Sequence, residues 1–187
     1  MKLTSFLSAA FLTTTPFLTA QETIRLAGGA RLWLKSPAGQ PPVTQVTTST
    51  GEVRDSTWDK DPEAAKRQKD IRFPIRWWNW QDVTINFTPT YDGTIDLILN
   101  GMWAQEKPGS LYREETLWDK ITATGTTVTN GSFEERTGAA PDGWTSTWGN
   151  YPEATAWPLS KAEALDGART GASWHNRPLQ QTLVVKA

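Results

Sequence analysis

The chain has 187 residues, 11 of them tryptophan, with no cysteine, one histidine and a formal net charge of -1. A near-neutral balance offers no footprint for a phosphate backbone, and the missing cysteines exclude disulfides, thiolate metal sites and a cysteine nucleophile. One histidine excludes sites built from several, so function is sought among the tryptophans.

Met1-Lys2 gives a short positive start, and Leu3 to Leu18 is mostly apolar or hydroxylated, with Phe6, Leu7, Ala9, Ala10, Phe11 and Leu12. This pattern predicts a secretory signal peptide over residues 1–20, cut near Ala20/Gln21, so that the remainder is secreted, periplasmic or extracellular. Pro16 and Thr13-Thr14-Thr15 interrupt the run, and no later stretch reaches the ~18 apolar residues of a membrane span. Thr23 to Leu26 alternates in twos. So does Arg31-Leu32-Trp33-Leu34-Lys35, which predicts Leu32 and Leu34 on the inner face and Arg31, Trp33 and Lys35 on the outer. Val43 to Thr50 is β-branched and alternating. Asp61 to Lys69, with Pro62 early, is the one helical candidate, and its charge marks it as a solvated loop or single turn. Val83–Phe87 and Thr94–Leu99 alternate again, with Tyr91-Asp92-Gly93-Thr94 between them predicting a hairpin-like reversal. Leu117 to Ala123 and Leu179 to Val185 complete the set. Short alternating runs at roughly ten-residue spacing, punctuated by Gly and Pro, predict an all-β sandwich or barrel.

Two segments carry a resemblance. Val128-Thr129-Asn130-Gly131-Ser132-Phe133-Glu134-Glu135, followed by Pro141-Asp142-Gly143-Trp144, resembles the opening of a carbohydrate-binding module of the galactose-binding-like jelly-roll class. Gly167 to Trp174, then Gln180-Gln181-Thr182-Leu183-Val184-Val185, resembles the part that follows. Thr23 to Gly28 with Leu32-Trp33-Leu34 resembles the module's mid-region strand pair. Trp80 to Pro89 with Asp92 to Leu97 resembles the later pair, and Trp118-Asp119-Lys120-Ile121 the closing strand. The order is permuted: the chain starts at the module's middle, reaches its end near Gly125, and begins again. Either residues 21–187 form a single circularly permuted jelly roll, or 21–125 form one β domain and 126–187 an incomplete second module. The second piece alone has about three strands and two open edges, which favours the single roll.

A sugar ring presents apolar C–H bonds on its faces and hydroxyls at its rim, so an exposed indole beside amides, carboxylates or arginine suits it. Any single tryptophan is more often core. Trp144 and Trp80 are expected inside, and Trp118 suits either place. Trp33, between Arg31 and Lys35, suits an outward binding surface or a cation–π stack with no ligand. If Trp80 points inward, Trp77 and Asn79 point outward together. Trp103 follows a predicted strand end. Trp174, His175 and Arg177 form a polar-aromatic group. These residues make up the expected binding set: Arg31, Trp33, Trp77, Asn79, Trp103, Trp174, His175 and Arg177.

The resemblance also implies a structural Ca2+ at Glu134, Asp166 and Asp119, with Lys120 standing where the family carries a second acid; no other cofactor is required. Catalysis is disfavoured, because Glu114-Glu115 and Glu134-Glu135 face opposite ways on a strand and cannot flank one bond. A lyase-like site with His175 as base, Tyr112 or Tyr151 and Arg177 rests on fold analogy alone. The sequence therefore implies a secreted, non-catalytic module that binds a polysaccharide or glycan. A protein-interaction module using the same aromatic face is the alternative. No nucleic acid and no membrane span is expected.

Overall fold

The computed structural model describes residues 20–27, 30–56, 61–74, 80–101, 116–138, 140–145, 156–158, 164–173 and 177–187. Eleven strands and one short helix are present among them. The strands are β1 (Ala20–Ala27), β2 (Ala30–Lys35), β3 (Thr44–Thr48), β4 (Glu52–Asp55), β5 (Gln68–Phe73), β6 (Gln81–Thr88), β7 (Gly93–Gly101), β8 (Thr116–Thr124), β9 (Ala156–Pro158), β10 (Arg169–Ser173) and β11 (Leu179–Val185). They form a six-stranded sheet in the order β3-β6-β1-β8-β10-β9 and a five-stranded sheet in the order β11-β7-β2-β5-β4. Every pairing is antiparallel. The fold is all-β, as the period-2 patterning predicts.

Alternation fixes the inner faces. On β6, Val83, Ile85 and Phe87 are buried while Thr84, Asn86 and Thr88 are half-exposed. On β11, Leu179, Gln181, Leu183 and Val185 are buried and Thr182 and Val184 exposed. One apolar cluster joins residues of both sheets, among them Val83, Phe87 and Trp118 of the first and Leu32, Leu97 and Leu183 of the second. Each such side chain contributes about 1.5–3 kcal/mol on burial. Strands after Gly125 enter both sheets: β10 pairs with β8, and β11 with β7.

Two local expectations are corrected. The helix is shorter than 61–69. α1 spans Pro62–Lys66, capped by the Asp61 side chain on the Glu63 N–H (3.0 Å). From Gln68 the chain is strand, because pairing with β2 and β4 and the Gln68 Nε2 bond to Ser56 Oγ (2.8 Å) outweigh helix propensity. The Tyr91–Thr94 reversal is not a hairpin. β6 pairs with β1 and β3, and β7 with β2 and β11, so the chain there passes from one sheet to the other.

The registers define the ends of the sandwich. At one end Leu26 lies opposite Gln81, Ala27 opposite Leu117, and Ser173 opposite Thr116 in the first sheet. In the second sheet, Ala30 lies opposite both Phe73 and Gly101, and Leu179 opposite Leu99. Four connections, 28–29, 74–80, 102–115 and 174–178, therefore start and finish at this end, each joining one sheet to the other.

Candidate functional site

Of the expected binding residues, Trp77, Asn79, Trp103, Trp174 and His175 lie outside the described residues. Three of the four crossing connections carry them: 74–80 holds Trp77 and Asn79, 102–115 holds Trp103, and 174–178 holds Trp174, His175 and Arg177. Arg177 is described, and is nearly buried at 6% exposure just before β11.

Trp33 corrects the sequence reading. It lies on the outer face of its sheet, opposite to Leu32 and Leu34, yet it is 0% exposed. Its Nε1 donates to Asp70 Oδ1 (3.0 Å), and the Arg31 guanidinium lies 5.4 Å from the ring centroid. Arg31 therefore forms a cation–π stack on the indole. Trp33 is unexposed because this outer face is not a solvent face around it. Asp70, Ile98 and Asn100, on the flanking strands, are buried as well. Strand alternation assigned the face correctly, and solvation did not follow from it.

The centre of that outer face is Asp70 on β5, which sequence reasoning missed. Arg31 donates to it through Nε (3.3 Å, Oδ1) and Nη2 (2.6 Å, Oδ2), and Arg72 through Nε (2.9 Å, Oδ2). Burial pushes the Asp70 carboxyl up, but the hydrogen bonds and charges of Arg31 and Arg72 outweigh it and hold it below the ordinary carboxylate value. The signal was the alternation of Asp70 and Arg72 with Ile71 and Phe73, hidden inside a run dense in charge.

The residues of the resembled opening motif form a clamp. Gly131 lies so close to β8 that an added Cβ would stand 1.9 Å from the Ile121 carbonyl oxygen. Its own carbonyl accepts from the Ile121 N–H (2.9 Å). Asn130 Nδ2 donates to the carbonyls of Glu135 (2.8 Å) and Asp142 (3.0 Å), and its Oδ1 accepts from the Glu135 N–H (3.1 Å). Phe133 and Trp144 are buried against each other with ring centroids 5.1 Å apart, and Trp144 Nε1 donates to the Asn130 carbonyl (3.1 Å). Gln181 points inward from β11. Its Oε1 accepts from the Thr129 N–H (2.8 Å), and its Nε2 donates to the carbonyls of Thr129 (2.9 Å) and Gly143 (3.0 Å). Trp118 is also core, with Nε1 donating to Ser173 Oγ (2.7 Å). Trp80, expected inside, is half-exposed.

Two of the three acids proposed for calcium, Asp119 and Glu134, meet the turn that carries Asp166 before β10, and their partners there are donors. Asp119 Oδ2 accepts from the N–H groups of Leu165 (2.8 Å) and Asp166 (3.1 Å), and Oδ1 from Lys120 (2.7 Å). Glu134 Oε1 accepts from the N–H groups of Ala168 (2.8 Å) and Arg169 (2.7 Å). Gly167, at φ +70°, has no room for a Cβ, which would stand 2.3 Å from the Glu134 carboxyl carbon. Burial pushes the Asp119 carboxyl up. Three backbone N–H bonds oppose it, and the nearby Asp166 charge adds to it. Ca2+ takes 6–8 oxygens. This turn offers N–H groups to the two carboxylates, so the residues as arranged do not fit the ion. Among the described residues no group of three or more His, Cys, Asp or Glu is placed to hold a metal.

Comparison of the chain with protein-family models, curated proteins and solved structures finds no match. Among the described residues no helix is long and apolar enough to cross a membrane.

Proposed function

We propose that this protein is a secreted, non-catalytic module that binds a polysaccharide or glycan through tryptophans at one end of its sandwich. The observation that carries this reading is topological. Connections remote in sequence, 74–80, 102–115 and 174–178, share one end of the two sheets, and they hold Trp77, Trp103 and Trp174. Tryptophan, with Asn79, His175 and Arg177 on the same connections, is a residue type that supplies stacking surfaces and hydrogen-bonding groups of the kind a saccharide requires. What supports the resemblance is that Asn130, Gly131, Phe133 and Trp144 of the opening motif, and Gln181 of the part that follows, each have a structural task. Secretion rests on the signal-peptide pattern of residues 1–20.

The test is affinity gel electrophoresis against a panel of polysaccharides. Retardation by at least one of them, reduced in Trp77→Ala, Trp103→Ala or Trp174→Ala at unchanged thermal stability, supports the reading. Retardation that all three variants retain removes the proposed site. Retardation by none removes the function.

A further inference from the structure

The five-stranded sheet leaves one long edge open. β11 pairs with β7 on one side only. On its other side Gln180 alone is held: its N–H donates to the Thr145 carbonyl (2.8 Å), and its carbonyl accepts from the Thr145 N–H (2.9 Å). Successive residues of a strand direct their backbone groups to opposite sides, so Thr182, Val184 and Lys186 point theirs outward with Gln180. Ala187, in the opposite phase, donates its N–H back to Asp92 Oδ1 (2.8 Å). The outward backbone groups of Thr182, Val184 and Lys186 have no partner among the described residues. Residues 125–129 run alongside without covering them, leaving a cleft of about 410 Å3 against Thr182, Val184 and Lys186.

Soluble proteins protect such edges by shortness, charge, bulges or a cover. The other three edge strands follow that rule. β4 has four residues, among them Glu52, Arg54 and Asp55, β9 has three residues, and the pairing of β3 shifts register between Thr44 and Thr47. β11 has seven residues in unbroken register, with uncharged Thr182 and Val184 on its outer face. Val184 is 65% exposed, the one large hydrophobic side chain so placed among the described residues. The edge is also complementary to itself. An antiparallel pairing centred on Val184 sets Val184 against its own copy and Thr182 against Lys186, so all three free residues exchange N–H···O=C bonds. A shift towards Gln180 meets Thr145, which already holds that position. A shift towards Ala187 strands Thr182 or opposes Lys186 to its copy, a like-charge pair. In the Val184-centred register each Lys186 instead faces the second copy's Thr182, whose hydroxyl donates to Asp96 Oδ1 (2.8 Å), so an ammonium group meets the side that carries an acid.

We propose that β11 is a docking edge for a second copy of this chain, pairing antiparallel with its β11 about Val184 and joining the two five-stranded sheets edge to edge. The pairing of one strand edge is small by the measure of stable dimers, so the dimer forms with rising concentration. β11 runs from Leu179 at the end where the tryptophan-bearing connections start to Val185 at the other. An antiparallel pair therefore turns those two ends in opposite directions. The inference stands on the strand edge alone and does not use the glycan reading.

The experiment is sedimentation equilibrium of the unaltered chain and of Val184→Asp, which opposes two carboxylates at the centre of the pairing and alters an exposed side chain. The expected result is a weight-average mass that rises about twofold as concentration approaches about 1 mM, and that stays at one chain for Val184→Asp with an unchanged thermal melt. A second measurement reads the register directly. The chain has no cysteine, so Val184→Cys carries a single thiol. Directly opposed residues that exchange hydrogen bonds have Cα atoms about 5.5 Å apart, within the reach of a disulfide. Mild oxidation should therefore join Val184→Cys into a covalent dimer, and leave Lys66→Cys, on an exposed helix, as single chains. A mass of one chain at every concentration overturns the inference. So does a dimer that Val184→Asp leaves intact, and so does equal cross-linking of the two cysteine variants. The unaltered chain and the cross-link decide the matter even where Val184→Asp does not fold.

Discussion

Asp70 gathers three side chains of the outer face, since Trp33, Arg31 and Arg72 all bond to it. Asp70→Asn keeps the shape but leaves two guanidinium groups without their counter-charge. It is expected to cost about 3 kcal/mol in urea unfolding at pH 7. The sign of the pH dependence follows from the lowered carboxyl. The stabilisation is complete above the ordinary carboxylate value of ~4 and is lost as pH falls through the lower folded value. The gap between Asp70→Asn and the unaltered protein should therefore narrow at acid pH, and a gap that widens there would contradict the assignment. Gln181 is the inward-facing counterpart. Gln181→Leu leaves the Thr129 N–H and the carbonyls of Thr129 and Gly143 without their partner, at about 1–3 kcal/mol for a buried group left unpaired.

Among the elements, the turn before β10 and the Gly131 loop are both set by close backbone contact. Gly131→Ala places a methyl group on the Ile121 carbonyl and should destabilise the fold measurably in a thermal melt, because backbone cannot yield as a side-chain tip does. The turn is held by N–H bonds to Asp119 and Glu134, so calcium and chelator should leave the melting temperature unchanged. A site loaded at a hundredfold excess over its Kd would instead add about 2.7 kcal/mol. The sequence made the alternating strands legible, β2, β6, β7, β8 and β11 among them, because apolar residues alternate with polar ones along much of each. It concealed β5, whose first residues Gln68 and Lys69 read as the end of a solvated loop or single turn. The burial of Gln68 and Asp70 depends on strands remote in sequence, which no local pattern reports. The same limit applies to Trp33, whose face was legible and whose loss of solvent was not.

For the whole molecule, the chain after Gly125 completes both sheets. β11 covers β7 and β10 covers β8, so a chain ending at Gly125 exposes two long strand edges and loses Leu179, Leu183, Val185, Phe133 and Trp144 from the core. Such a truncation is expected to be unfolded or aggregated by circular dichroism and light scattering. A stable, soluble fragment there would show that the strands after Gly125 are dispensable. The all-β class was readable from period-2 patterning alone, whereas the shared end at which the strands flanking three tryptophan-bearing connections finish needed the strand registers.

The central claim is that these connections bind a glycan. Its most direct test is titration of intrinsic tryptophan fluorescence with the polysaccharide that retards the protein. The account predicts a saturable change that is lost in the combined Trp77→Ala, Trp103→Ala, Trp174→Ala variant, while the buried Trp33, Trp118 and Trp144 keep the folded-state emission. No change on titration, or a change that the combined variant retains, would contradict it.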